Sequence, residues 1–265
     1  MPRRTADATG DGLTRRQLLQ WSGGAGIAAT ISACGRNQIA TTATSKAADP
    51  TPKPSPVPPP TQPRPVAKPT PALLLCRDAW GARPPRPGGR PHTISRMTLH
   101  HSGVVLGDNT KAIARLHQHQ HYHQESCGWI DIAYHVGVDR NGHIYELRTP
   151  TLAGDTATDY DTTGHFLVVC EGDFDKEPIT EAQLHSTAMA FAWASQKFGV
   201  ADRTVAGHRD FASTACPGAN LYSHLTSQDL AQRIEKLVES GGVDLQLVCG
   251  REAAQIVAAI ESGLA

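Results

Sequence analysis

The chain has no uninterrupted run of about 18 apolar residues, so no segment reads as a membrane-spanning helix. It has no surplus of either charge: 25 Lys and Arg balance 25 Asp and Glu, for a formal net charge of 0. Charged residues make up only 19%, below the ~25% of ordinary soluble domains. A protein that grips nucleic acid through its phosphates needs a basic excess, so nucleic acid is excluded as a partner. Proline is almost missing from the C-terminal part, where only Pro150, Pro178 and Pro217 follow Pro91.

What proline there is lies together. Of 19 prolines, 11 fall between Pro50 and Pro71. So apolar-poor a stretch cannot offset its ordering entropy, and it reads as an extended spacer. Upstream of it, Thr14-Arg15-Arg16-Gln17-Leu18-Leu19 is similar to a twin-arginine export motif. A short apolar stretch from Trp21 to Ala33 follows, ending in Ile31-Ser32-Ala33-Cys34-Gly35, which resembles a lipobox. The expected organisation is a signal with lipobox over 1–34, a proline-rich linker over 35–72, a folded domain over 73–240 and a C-terminal tail with a short helix over 241–265. The chain reads as exported and monomeric, either held at the cell envelope and in contact with a membrane only through a lipid on Cys34, or, without that lipid, secreted.

Export permits disulfides. With Cys34 assigned to lipid and Cys216 to the metal site described below, Cys76, Cys127, Cys170 and Cys249 admit three pairings that the sequence does not rank.

Within the domain, strands and helices alternate, which gives an α/β class with a central mixed sheet flanked by helices. Ser95 to Leu99 reads as a strand delivering His100-His101-Ser102. Asn109 or Thr110 caps a helix carrying Ile113 and Leu116. Ile132 to Val138 alternates like a strand, and Asn141-Gly142 turns it into a hairpin with His143 to Glu146. Phe166 to Cys170 is a buried strand. Thr180 with Gln183 makes a capping box for the clearest helix, which Gly199 stops. Arg203 to Ala206 is a short strand before Gly207-His208-Arg209-Asp210. Two more helices carry Leu230, Ile234 and Leu237, then Ile256, Val257 and Ile260.

Histidine is oversupplied, 13 in all. His117, His119, His121 and His123 alternate by two on a helix and so do not converge on one ion; a solvated helix surface accounts for most of them. His208 and Cys216 differ, each in a loop of small residues after an apolar segment. Imidazole and thiolate together suit Zn²⁺, and His100, from the end of another strand, supplies a third ligand with one position left open.

Four motifs then align in order. Cys76-Arg77-Asp78-Ala79-Trp80-Gly81-Ala82 is similar to the opening of the peptidoglycan recognition protein family. Leu99-His100-His101-Ser102 resembles its first metal motif, and Gly128-Trp129-Ile130-Asp131-Ile132-Ala133-Tyr134-His135 its central signature. Gly207-His208-Arg209-Asp210 with Thr214-Ala215-Cys216-Pro217-Gly218 resembles its closing motif.

The family is related to zinc amidases of the phage-lysozyme type and comprises N-acetylmuramoyl-L-alanine amidases and silent binders, which typically lack the metal cysteine. The resemblance implies Zn²⁺ on His100, His208 and Cys216, with peptidoglycan muramyl peptides as partner. It also implies active-site roles for Tyr134 and Thr214, and Glu171 as candidate base. His101 falls at a variable position and His123 at a structural one. The implied reaction is cleavage of the amide between N-acetylmuramic acid and L-alanine; the alternative is a binding module that holds wall fragments uncut. Departures from the pattern at Leu147, before Arg148, around Gly154-Asp155-Thr156, and at Asp161 fall in what the resemblance makes the substrate groove.

Overall fold

A computed structural model of the protein describes residues 67–265. The arginine pair, Cys34 and most of the proline-rich stretch lie outside the described residues. Seven strands form one mixed sheet: β1 (Thr70–Leu75), β2 (Arg96–His101), β3 (Val136–Val138), β4 (Ile144–Glu146), β5 (His165–Cys170), β6 (Val205–Gly207) and β7 (Val243–Val248), in the order β6-β2-β5-β3-β4-β1-β7. Every neighbouring pair is parallel except the β3–β4 hairpin. The helices are α1 (Ala112–His121), α2 (Glu181–Phe198), α3 (Ala219–Thr226), α4 (Asp229–Glu239) and α5 (Gly250–Glu261).

The sheet is covered on both faces, which is why its interior strand β5 is apolar without alternation. Val168 and Cys170 of β5 pack with Met97 and Leu99 of β2 and with Leu184, Ala188 and Phe191 of α2. The next residue over, Val169, packs on the other face with Ile113 and Leu116 of α1 and Val257 and Ile260 of α5. Met97 and Leu99 thus fill one core, and the two-residue period of β2 turns Thr98 and His100 to the opposite face.

Local signals placed most elements. Thr180 Oγ1 accepts from Gln183 N at 3.1 Å and Gly199 closes α2 at φ 64°, although Gln183 turns its amide into the core, where Nε2 donates to Val138 O and Glu171 O. The cap before α1 is Asp108 rather than Asn109 or Thr110, and a 3-10 turn at Asn109–Lys111 leads into the helix. In the hairpin, Asp139 accepts from the amides of Asn141 and His143 and from the Tyr145 hydroxyl.

Three expectations need correction. The strand expected from Ile132 begins only at Val136, because side chains take the backbone groups a ladder would use: Asp131 Oδ1 accepts from Ile132 N, His123 Nδ1 from Ala133 N, and the Arg148 guanidinium donates to Ile132 O. The linker reading runs too far, since β1 starts at Thr70. The segment set aside as a tail with a short helix does hold that helix, α5, but it also builds the edge strand β7, paired with β1 over six residues. Of the open disulfide pairings, Cys76–Cys249 is formed, and Cys127 and Cys170 are free thiols. Among the described residues no helix is long and apolar enough to cross a membrane.

Candidate metal centre

Parallel pairing of β2 with β6 aligns Leu99 with Gly207, so the next residues, His100 and His208, emerge side by side, with ring centroids 4.8 Å apart. Nine residues on from Gly207, the loop returns Cys216 to the same place. Its Sγ lies 3.6 Å from His100 Nδ1 and accepts from His101 N at 3.4 Å. One donor atom from each of His100, His208 and Cys216 lies within 4.8 Å of the others, and all three side chains are buried. His101 is not part of the group: its ring stacks on Phe174 and its Nδ1 accepts from Phe174 N.

The donor set fits a borderline-soft divalent cation such as zinc and supplies three of its usual four ligands. His100 Nε2 is buried with no hydrogen-bond partner, a cost that a native fold rarely carries without a use. Burial lowers His100 well below the ordinary histidine range and takes His208 down to about 4, so both imidazoles are neutral and hold free lone pairs. Burial also pushes the Cys216 thiol up to about 12, and only a cation drawing the proton off would make it a thiolate near neutral pH. Outside the three, Thr158 Oγ1 hydrogen-bonds His208 Nε2 at 2.6 Å and the Tyr160 ring packs 5.0 Å from that imidazole. Groups of this kind fix ligand orientation.

Of the remaining expected residues, Tyr134 is beside the centre, its ring 5.1 Å from that of His100. Burial foremost, then the charges of Cys216 and Glu171, raise its hydroxyl above the usual phenol range, so it stays protonated and able to donate. Thr214 Oγ1 accepts from Cys216 N at 3.2 Å, which ties it to the shape of the ligand loop. Glu171 follows β5 with no exposed side-chain surface, and neither carboxylate oxygen has a hydrogen-bond partner. A cavity of about 280 Å³ opens next to Tyr134, walled by Ser102, Arg115, His119, Tyr122 and His123 among others.

The histidine row divides by helix geometry. His117 and His121 are exposed, but His119 and His123, also four apart, share the inner face. His123 is buried against Trp129, 4.7 Å between ring centroids, and burial lowers it to about 3. The solvated surface expected for most of the row thus holds for His117 and His121 and fails for His119, while His123 is buried, in keeping with the structural place that the resemblance implied. Leu147 and Arg148 are not groove residues either. Leu147 is buried in the core, and Arg148 braces the Tyr134 segment by donating to Asp131 O, Ile132 O and Ala153 O and pairing with Asp155. Asp161 forms an exposed pair with Arg90. Thr158, Tyr160 and His119 escaped the sequence reading; only the four-residue spacing of His119 from His123 signalled that the two share a face.

Residues 90–219 match the family model described as N-acetylmuramoyl-L-alanine amidase. The peptidoglycan-recognition protein LB of Drosophila melanogaster is 30% identical over 165 residues, which cover 59% of this chain and 68% of that one. The human N-acetylmuramoyl-L-alanine amidase is 31% identical over 170 residues, 59% of this chain and only 29% of the human protein. In structure, a mutant of Drosophila PGRP-LB in complex with tracheal cytotoxin superposes with a TM-score of 0.53 at 27% identity, over 58% of this chain and 93% of that one. With the seven-stranded mixed sheet and the buried His-His-Cys group already described, these likenesses make the chain a member of the family of peptidoglycan recognition proteins and N-acetylmuramoyl-L-alanine amidases.

Proposed function

We propose that this domain hydrolyses the amide between N-acetylmuramic acid and L-alanine in bacterial peptidoglycan, using zinc held by His100, His208 and Cys216. The observation that carries the reading is the complete donor set, buried and convergent, with a protonated Tyr134 hydroxyl beside it. Zinc bound there supplies Lewis acidity toward a water and toward the scissile carbonyl. The chain's own groups do the rest. Tyr134 donates a hydrogen bond to the oxygen on which charge develops. Glu171 takes the proton of the attacking water and passes it to the leaving amine as the C–N bond breaks. Thr214 holds the Cys216 loop and keeps its own hydroxyl proton free for substrate or water. That relatives carry both amidase and recognition-protein names makes cutting, rather than binding, the point to test.

The test is mass spectrometry of purified peptidoglycan incubated with the protein, with and without a chelator. New L-alanine amines that vanish on chelation support the amidase; wall that is bound but uncut gives a binding module instead. We place the protein outside the cytoplasm, a monomer at the cell envelope held through lipid on Cys34, on the strength of Arg15-Arg16, the lipobox and the proline-rich spacer.

A further inference from the structure

The main chain of Glu171 is tied down at both ends, yet its carboxylate is not. Its N–H donates to Val138 O at 2.9 Å and its C=O accepts from Gln183 Nε2 at 3.0 Å. The side chain has no exposed surface, and both oxygens lack a hydrogen-bond partner. A buried polar group left in this state is expensive, and a charged one more so. Among the described residues one basic side chain comes within ion-pair distance: His119, whose Nδ1 lies 3.2 Å from Glu171 Oε1. The two atoms are out of line for a hydrogen bond, so His119 Nδ1 is itself buried without a partner.

Two orphaned atoms facing each other are a contact waiting to close. His119 cannot drift far. It stands on α1 four residues before His123, the two rings stack at 6.3 Å, and His123 is fixed in turn by Ala133 N donating to its Nδ1 at 3.2 Å. His119 also walls the cavity beside Tyr134. In sites without substrate, catalytic hydrogen bonds are commonly long or misaligned and tighten when substrate arrives.

We infer that His119 is a positioning residue for Glu171: with its proton on Nδ1 it donates to Oε1, fixes one carboxylate orientation and leaves Oε2 to handle the proton. This rests on the amidase reading above. In the step it serves, water loses a proton to Oε2 as the C–O bond forms, and that proton moves to the amide nitrogen as the C–N bond breaks. His119 neither gains nor loses a proton over the cycle. A charge-assisted donor of this kind is among the stronger side-chain hydrogen bonds.

The experiment compares His119→Leu and His119→Asn on a soluble N-acetylmuramoyl-L-alanyl peptide, with zinc content and thermal midpoint measured alongside. Asn keeps an N–H donor close to the place of Nδ1; Leu fills the space without one. His119→Leu is expected to lose roughly 10- to 100-fold in kcat, less than removal of the base itself, with KM and zinc retained, and His119→Asn to recover most of the loss. Parent kcat in His119→Leu, or equal losses in both variants, overturns the inference. A second readout needs no turnover: long-range ¹H–¹⁵N correlation of the imidazoles, in the parent and in Glu171→Gln. The proton of His119 is expected on Nδ1 in the parent, with a changed Nδ1 shift in Glu171→Gln. A parent whose His119 is protonated on Nε2 alone overturns the inference, whether or not the protein cuts. A parent that cuts nothing overturns the amidase reading, and the imidazole spectrum then decides the contact by itself.

Discussion

His100 and His208 leave neighbouring parallel strands at the same level, one register step beyond the Leu99–Gly207 pair, so the sheet itself sets the 4.8 Å between their rings. Cys216, by contrast, is placed by a loop. The two imidazoles are positioned by the core; the thiol depends on Thr214 and the His101 amide to hold it.

That asymmetry makes Cys216 the ligand to remove. Cys216→Ala leaves both strands intact and is expected to fold with an unchanged circular dichroism spectrum while losing bound zinc to a competing chelator. Elemental analysis after dialysis checks it; a stoichiometric ion retained by the variant would mean that other residues hold the metal.

Tyr134→Phe separates binding of metal from chemistry. The ring keeps its place beside His100, so zinc content and stability should match the parent. Loss of a donor to the developing oxyanion is expected to lower kcat by about 10²–10³-fold. Steady-state kinetics on a muramyl peptide read the change, and an unaltered kcat would reduce the tyrosine to packing.

Acid is expected to destabilise the domain through His135. Its Nε2–H donates to Leu152 O at 3.0 Å and its Nδ1 accepts from Leu167 N at 2.9 Å, so both nitrogens are committed in the neutral form. Burial lowers its pKa to about 3, whereas the unfolded chain binds the proton near 6.5. Stability is therefore unaffected by this group above about pH 6.5. It then falls by up to ~1.4 kcal/mol per pH unit until about pH 3, where the folded form also takes the proton. Urea unfolding at pH 7.5 and about pH 5.5 tests the sign: His135→Gln should show a shallower pH slope than the parent by about 1 kcal/mol over that interval. Equal slopes would clear His135 of any part.

For export, Arg15→Lys with Arg16→Lys should leave the protein inside the cell. Cys34→Ala should release it from the membrane or leave an unprocessed precursor. Fractionation and the mass of the mature N-terminus give the answer, and normal membrane retention in the Cys34 variant would remove the lipid anchor.

Much of this was written in local sequence. The His100-His208-Cys216 group was legible because the two histidines follow short apolar strands and the cysteine returns in a loop of small residues, and α2 because Thr180 and Gly199 mark its ends. Elements whose partners are distant were harder. β7 alternates weakly, with Asp244 and Gln246 turned to solvent, and only its pairing with β1 makes it a strand. The segment from Asp131 to Tyr134 looks like a strand by alternation, but Arg148 and His123 take its backbone groups, and no spacing rule names those side chains in advance. The role of His119 was hidden for the same reason, since Glu171 lies 52 residues away in sequence.

The Cys76–Cys249 bridge joins the end of the first strand to the start of the last helix, with a sequence separation of 173. Nearly the whole domain, the His100-His208-Cys216 group included, is thus one covalent ring. If a protease cuts an exposed loop anywhere inside that ring, the fragments remain one molecule, and their reassociation is intramolecular rather than dilute. A nicked domain should run as a single species on a denaturing gel until reductant is added, and it keeps the means to close again around its site.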